Sequence, residues 1–258
     1  MHRPRERPLA LALGIWLAYR GALAAVAIAL AALGTLAAIA YCLLARHADL
    51  THFPTRATLA IAWSAGVMLA FGSSLRAVAR DWEEGIVALA RVRGVRASRY
   101  MRGRVAGVVV VLALTVGGAS LLASFAATAM TKDPLATARD SLAALVYALA
   151  FAATVGPVAF AALGARSRVR GYLRFLAVLV LPELLAPWTE AALPAGWQEL
   201  TSIPAALDAL LTGVEATSWA SALKMVRAGA GLAAVVAISV ALVQARTPRV
   251  PRASGDAT

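Results

Sequence analysis

The sequence predicts an all-α, polytopic integral membrane protein with six transmembrane helices, an interfacial helix at the N-terminus and an amphipathic helix in a cytoplasmic loop. Three observations predict it. Apolar residues make up 61% of the 258 residues and charged residues only 15%, with a mean hydropathy of +0.75, whereas a soluble domain is about half apolar and about a quarter charged. The apolar residues come in blocks long enough to cross a bilayer. The basic residues fall between those blocks with a strong bias to alternate gaps.

A helix needs about 20 apolar residues to cross a hydrocarbon layer of about 30 Å. Six blocks meet or approach this: 21–45, 57–79, 105–130, 141–165, 175–193 and 228–245. The fourth contains Pro157, and the fifth contains Pro182, Glu183 and Pro187. Such prolines are tolerated when neighbouring helices satisfy the freed backbone groups. Pro8 to Tyr19 is apolar but too short to cross. Its Trp16, Tyr19 and Arg20 suit the headgroup region, so it reads as a surface helix before the first span, the alternative being an extension of that span.

With the N-terminus placed in the cytoplasm, the six spans put nineteen of the 25 Lys and Arg residues inside and six outside. That asymmetry is a positive-inside signal, and it depends on the span count, because merging or splitting one span scrambles the alternation. Residues 1–258 therefore read as a single transmembrane domain with both termini cytoplasmic. Its longest outer loop, 194–227, contains an expected helix at Ile203–Leu211. The tail 247–258 reads as disordered.

The net charge of +12 does not indicate nucleic acid. A nucleic-acid surface gathers Lys and Arg on a folded polar face with aromatic residues between them; here the basic residues flank apolar blocks. Cys42 is the only cysteine, which rules out an intrachain disulfide or a thiolate cluster. The apolar run after the basic N-terminus continues almost to Arg46, too long for a cleaved signal peptide.

Enzyme chemistry finds little support. His47 and His52 are five apart, which does not match the i, i+4 spacing of a zinc-binding helix, and no GxSxG, HExxH or CxxC occurs. No metal or cofactor is expected. No Gly-Lys pair exists, so the chain has no GxxxxGK[ST] phosphate loop with which to hydrolyse ATP. Glu183 is the one carboxylate inside a span. It is a candidate intramembrane polar site, the alternative being a position near the outer end, close to water.

The loop 80–104 is the most informative stretch. It is far longer than a connection requires. Trp82, Ile86 and Leu89 form one helical stripe. Asp81, Glu83 and Glu84 lie at the start, where the helix dipole favours anions, and Arg91 and Arg93 lie at the end, before Gly94. One helix from Arg80 to Arg93 is expected. The three acids disfavour a helix lying on anionic lipid, and an apolar stripe flanked by both charge signs suits a protein partner. Gly103 and Gly107 form a small-xxx-small pair at the start of the third span.

This layout resembles the permease subunit of ABC (ATP-binding cassette) type-2 exporters. Asp81-x-Glu83-Glu84-Gly85, then Leu89, a turn near Gly94, Tyr100 and Arg104 look like that family's acidic–Gly, Leu, turn, aromatic–basic pattern. Residues 197–213 look like its stretch before the last span. The sequence departs from the family in having Arg93-Gly94 where Pro is more frequent and Arg104 where Lys is. The resemblance implies a multi-pass protein of a bacterial inner membrane whose 80–104 loop is a coupling helix. A separate ABC ATPase subunit would dock on Asp81, Trp82, Glu83, Glu84, Gly85, Ile86, Leu89, Arg93 and Gly94. It also implies a homodimer or heterodimer with a second permease, and export of a substrate that the lack of a polar channel makes lipid-like or amphiphilic. The other class is a non-transport assembly or anchoring protein whose loop docks a different cytoplasmic partner.

Overall fold

The computed structural model describes residues 6–45, 49–164, 168–192, 198–215 and 219–245. Among them every element is helical. In chain order these are α1 Glu6–Tyr19, α2 Ala22–Leu44, α3 Phe53–Ile61, α4 Val67–Ser74, α5 Ala77–Glu83, α6 Ile86–Val92, α7 Ala97–Leu112, α8 Gly118–Met130, α9 Pro134–Leu163, α10 Arg168–Ala192, α11 Gln198–Thr201, α12 Ile203–Glu215 and α13 Trp219–Ala245. The tail 247–258 and His47 lie outside the described residues.

Five helical runs are long and apolar enough to cross a membrane: Ala22–Leu44, Phe53–Glu83, Ala97–Met130, Pro134–Leu163 and Trp219–Ala245. They carry the first, second, third, fourth and sixth predicted blocks. The predicted fifth block lies in α10, a continuous helix of 25 residues, but α10 is not among the five. It carries Arg170 and Arg174 in its first turns and Pro182, Glu183 and Pro187 further along. The first span matches its expected limits within a residue. The third begins at Ala97 rather than at 105, and the fourth begins at Pro134 rather than at 141. Helix propagation does not stop where hydropathy falls, so the polar first turns belong to the same helices.

Local chemistry explains several element starts. Asp133 precedes α9, and its carboxylate accepts the N–H of Ala136 at 3.0 Å. Pro134 then occupies the first turn, where its missing N–H costs nothing. Between α2 and α3, Thr51 donates its N–H at 3.0 Å and its hydroxyl at 2.5 Å to Asp49. These bonds close a turn, and they hold the exposed Asp49 carboxyl below its usual range. The helix predicted at Ile203–Leu211 appears as α12, which runs on to Glu215, and it packs on α9 and α13.

α9 sits at the centre and touches α3, α4, α7, α8, α10, α12 and α13. Its face from Tyr147 through Phe151, Val155 and Phe160 to Leu163 is buried. Polar bonds link it and its neighbours across the apolar interior: Trp63 Nε1 donates to the Tyr147 hydroxyl at 2.7 Å, and Thr58 Oγ1 donates to Ser120 Oγ at 2.7 Å. The second and third spans each contain one π-helical turn, Ala62–Gly66 and Ala113–Gly117, and the two turns touch. An added residue per turn reorients the side chains that follow it.

α1 is a separate helix that ends before Arg20, as expected, but it is more than a surface element. It packs along α7 in the same direction, with Ala10 at Gly103 and Gly14 at Gly107. A Cβ added at Gly107 would meet the Gly14 backbone, and one added at Gly103 would lie 2.7 Å from the Ala10 carbonyl carbon. The predicted small-xxx-small pair is thus matched by a second pair, Ala10-xxx-Gly14, and the two backbones touch because neither carries a bulky side chain at the crossing.

Candidate functional site

The segment between the second and third spans is built in two pieces, not one. α5 ends at Glu83 and α6 begins at Ile86, with Gly85 between them at φ 70°. That left-handed conformation is open to glycine and costs other residues about 1 kcal/mol or more. It follows from capping: the N–H groups of Glu84 and Gly85 donate to the carbonyls of Arg80 and Trp82. The Trp82–Ile86–Leu89 stripe is therefore divided, with Trp82 on α5 and the other two on α6. The expected stop at Gly94 is present, at φ 80°.

A second backbone joint precedes α5. Leu75 is extended, and Arg76 is left-handed at φ 53°, the one described residue other than glycine with positive φ. Arg76 N–H donates to the carbonyl of Leu163 at 2.9 Å, which ties the joint to the end of α9.

The three acids do not form a common docking face. Asp81 is 1% exposed and Arg104 is 3% exposed. Arg104 Nε donates to Asp81 Oδ2 at 2.7 Å, and the Tyr100 hydroxyl donates to the same oxygen at 2.7 Å. Tyr100 and Arg104 are one turn apart on α7, so both reach one carboxylate on α5. The guanidinium also lies 5.7 Å from the Phe160 ring centre, and its Nη1 is buried without a hydrogen-bond partner among the described residues. Glu83 pairs with Arg76 at 3.0 Å, and Glu84 pairs with Arg20 at 2.7 Å. The acids are thus committed to α7, to the α4–α5 joint and to the end of α1.

Apolar residues divide by direction. Val87 and Ala90 are buried, and Ile86 packs partly on the core. Leu89 is 63% exposed and Val92 is 86% exposed. Trp82 is half-buried, with the Arg91 guanidinium 5.1 Å from its ring centre. Arg93 and Gly94 are exposed at the turn that follows α6. Beside α6, α1 completes a groove of about 750 Å³ whose lining includes Leu9, Leu13, Ile86, Leu89, Arg93 and Arg20.

Glu183 is not near this segment. It lies in α10 and accepts the Ser202 hydroxyl, while Ser202 Oγ accepts the N–H of Ala205 at 3.2 Å. Its visible role is to hold α10 to the start of α12.

Asp140 went unnoticed in the sequence. It is 3% exposed, and it accepts the N–H of Thr55 at 2.9 Å and the Thr55 hydroxyl at 2.7 Å. It thus caps the first turn of α3 from α9, with His52 Nδ1 3.6 Å away. The available signal was a carboxylate at the edge of an apolar block, where a partner is required. Among the described residues no group of three His, Cys, Asp or Glu side chains is placed to hold a metal ion.

No protein-family model matches the sequence, and the searches of curated proteins and of solved structures find no match either.

Proposed function

We propose that this chain is the membrane-spanning subunit of an ATP-binding-cassette exporter, driven by a separate ATPase subunit that docks on α5–α6. In this reading α10 is the fifth of six spans, and both termini lie on the arginine-rich, cytoplasmic side of an inner membrane. Two copies, or one copy and a relative, enclose the path of an amphiphilic substrate.

One observation carries the reading. The α5–α6 segment presents Leu89 and Val92 outward while the buried Asp81–Arg104 pair joins it to α7. A partner pressing on the α6 tip would act on the third span through that joint. Residues exposed at the tip of a helix and free of internal packing suit a protein contact. Asp81 contributes to the joint and not to the docking face, and Trp82 contributes to both through its stacking with Arg91.

The test is co-purification of the chain from its native membrane with identification of bound subunits by mass. Leu89→Asp and Val92→Asp should each remove the ATPase partner, and transport with it, without affecting membrane insertion. Trp82→Ala should weaken the complex by roughly thirtyfold, since truncating a docked Trp costs about 2 kcal/mol. A complex that survives both aspartate substitutions would overturn the reading.

A further inference from the structure

We propose that the groove between α1 and α6 holds one anionic phospholipid, with an acyl chain along its apolar floor and the phosphate on Arg93. The groove shares Leu89 with the docking tip of the transporter reading, whereas Val92 lies outside it and separates the two. The sequence suggests that three acids in the 80–104 loop would repel anionic headgroups, but each is neutralised internally: Asp81 by Arg104, Glu83 by Arg76 and Glu84 by Arg20. From Arg91 to Arg104 there are six arginines and no acidic residue. Among the described residues no carboxylate pairs with Arg93 or Arg102, and both are exposed. What this end of the bundle offers outward is therefore cationic.

The groove adds the apolar half of an amphiphile site. Leu9 and Leu13 of α1 face Ile86 and Val95 across it, and Arg93 and Arg20 are its cations. Its volume of about 750 Å³ falls within the range of roughly 300–1,000 Å³ common for small-ligand sites. Leu9 and Leu11 are exposed on the same helix, and α1 packs lengthwise on a membrane-spanning run, so the groove opens on apolar surface. The one carboxylate in the groove, Glu84, is taken by Arg20, and the Trp16 ring in the lining already carries the Arg20 guanidinium 5.6 Å from its centre, so both partners for the ammonium of a zwitterionic headgroup are engaged. An apolar trough with an uncompensated guanidinium at a membrane surface selects a lipid phosphate that carries net negative charge.

The experiment is native mass spectrometry of the full chain in micelles, titrated separately with dioleoylphosphatidylglycerol and dioleoylphosphatidylcholine. One phosphatidylglycerol per chain should be retained at concentrations where phosphatidylcholine is not. Arg93→Glu should weaken phosphatidylglycerol retention about tenfold or more. Leu13→Trp, which fills the groove, should abolish it, and Val92→Asp, outside the groove, should leave it unchanged. Equal retention of the two lipids would overturn the proposal. So would phosphatidylglycerol retention that survives both Arg93→Glu and Leu13→Trp. Loss of a co-purifying protein in Leu13→Trp with lipid retention intact would assign the groove to a protein partner instead. Failure of Val92→Asp to release an ATPase bears only on the docking reading.

Discussion

The sharpest test of how the connecting segment is held is a double-mutant cycle on Asp81 and Arg104. Both side chains are almost completely buried, and the ion pair is 2.7 Å long, so solvent screening offers no discount. Asp81→Leu keeps roughly the shape but leaves the guanidinium without a counter-charge, and its Nη1 already lacks a partner among the described residues. Arg104→Met leaves the carboxylate with only the Tyr100 hydroxyl. Removing one member of such a pair costs about 3–5 kcal/mol, whereas replacing both with apolar groups of similar volume is often close to neutral. Each single substitution should therefore cost about 3 kcal/mol, and Asp81→Leu with Arg104→Met together should cost less than either single change. The assay is reversible unfolding in mixed micelles, with the four proteins compared at one detergent composition. If the single costs instead add, the two groups do not act as a pair and the joint between α5 and α7 is not electrostatic.

Two further outcomes follow from the backbone geometry. Gly107→Leu should separate α1 from α7, because the added side chain meets the Gly14 backbone and overpacking of this kind costs about 1–3 kcal/mol; trypsin cleavage after Arg20 should become faster. Gly85→Ala should destabilise the α5–α6 turn by about 1 kcal/mol through φ alone, since nothing lies within 4 Å of its added Cβ; Gly85→Asn should cost less, and local hydrogen exchange measures both.

Composition and block length made the helical class and most of the membrane-crossing runs legible, because hydropathy is a local property that a window of twenty residues captures. The end of α1 before Arg20 and the stop at Gly94 were legible for the same reason, as both depend on adjacent residues. Gly85 was not. It interrupts a stripe that fits a continuous helix, and only the capping bonds at Glu84 and Gly85 show that the chain turns there. The leucines and valines of α10 read as a fifth span, and α10 is a continuous helix of 25 residues, but it is not among the five runs long and apolar enough to cross. The partners of Asp81 lie 19 and 23 residues away, and the partner of Asp140 lies 85 residues away. Contacts at such separations leave no periodic trace. They leave only a burial problem: a charge beside an apolar block that must be compensated by something.

The acidic start of the segment consequently does different work from what its composition suggests. The sequence places the three carboxylates at the start of one docking helix, but they point to three different elements. The Asp81 pair is buried and strong. The pairs of Glu83 with Arg76 and Glu84 with Arg20 are largely exposed, and pairs of that kind contribute about 0–1 kcal/mol. The segment is thus positioned mainly by one internal charge pair, by Val87 and Ala90 in the core, and by the Arg76 N–H bond to Leu163. Reversing Glu83 and Glu84 together removes the weak pairs and sets like charges against Arg76 and Arg20, at exposed positions where salt screens the repulsion. A partner that binds through Leu89 and Val92 should therefore tolerate the reversal at physiological salt far better than it tolerates Val92→Asp. If binding is instead lost on reversal and retained in Val92→Asp, the contact is electrostatic and α6 does not dock by its apolar tip.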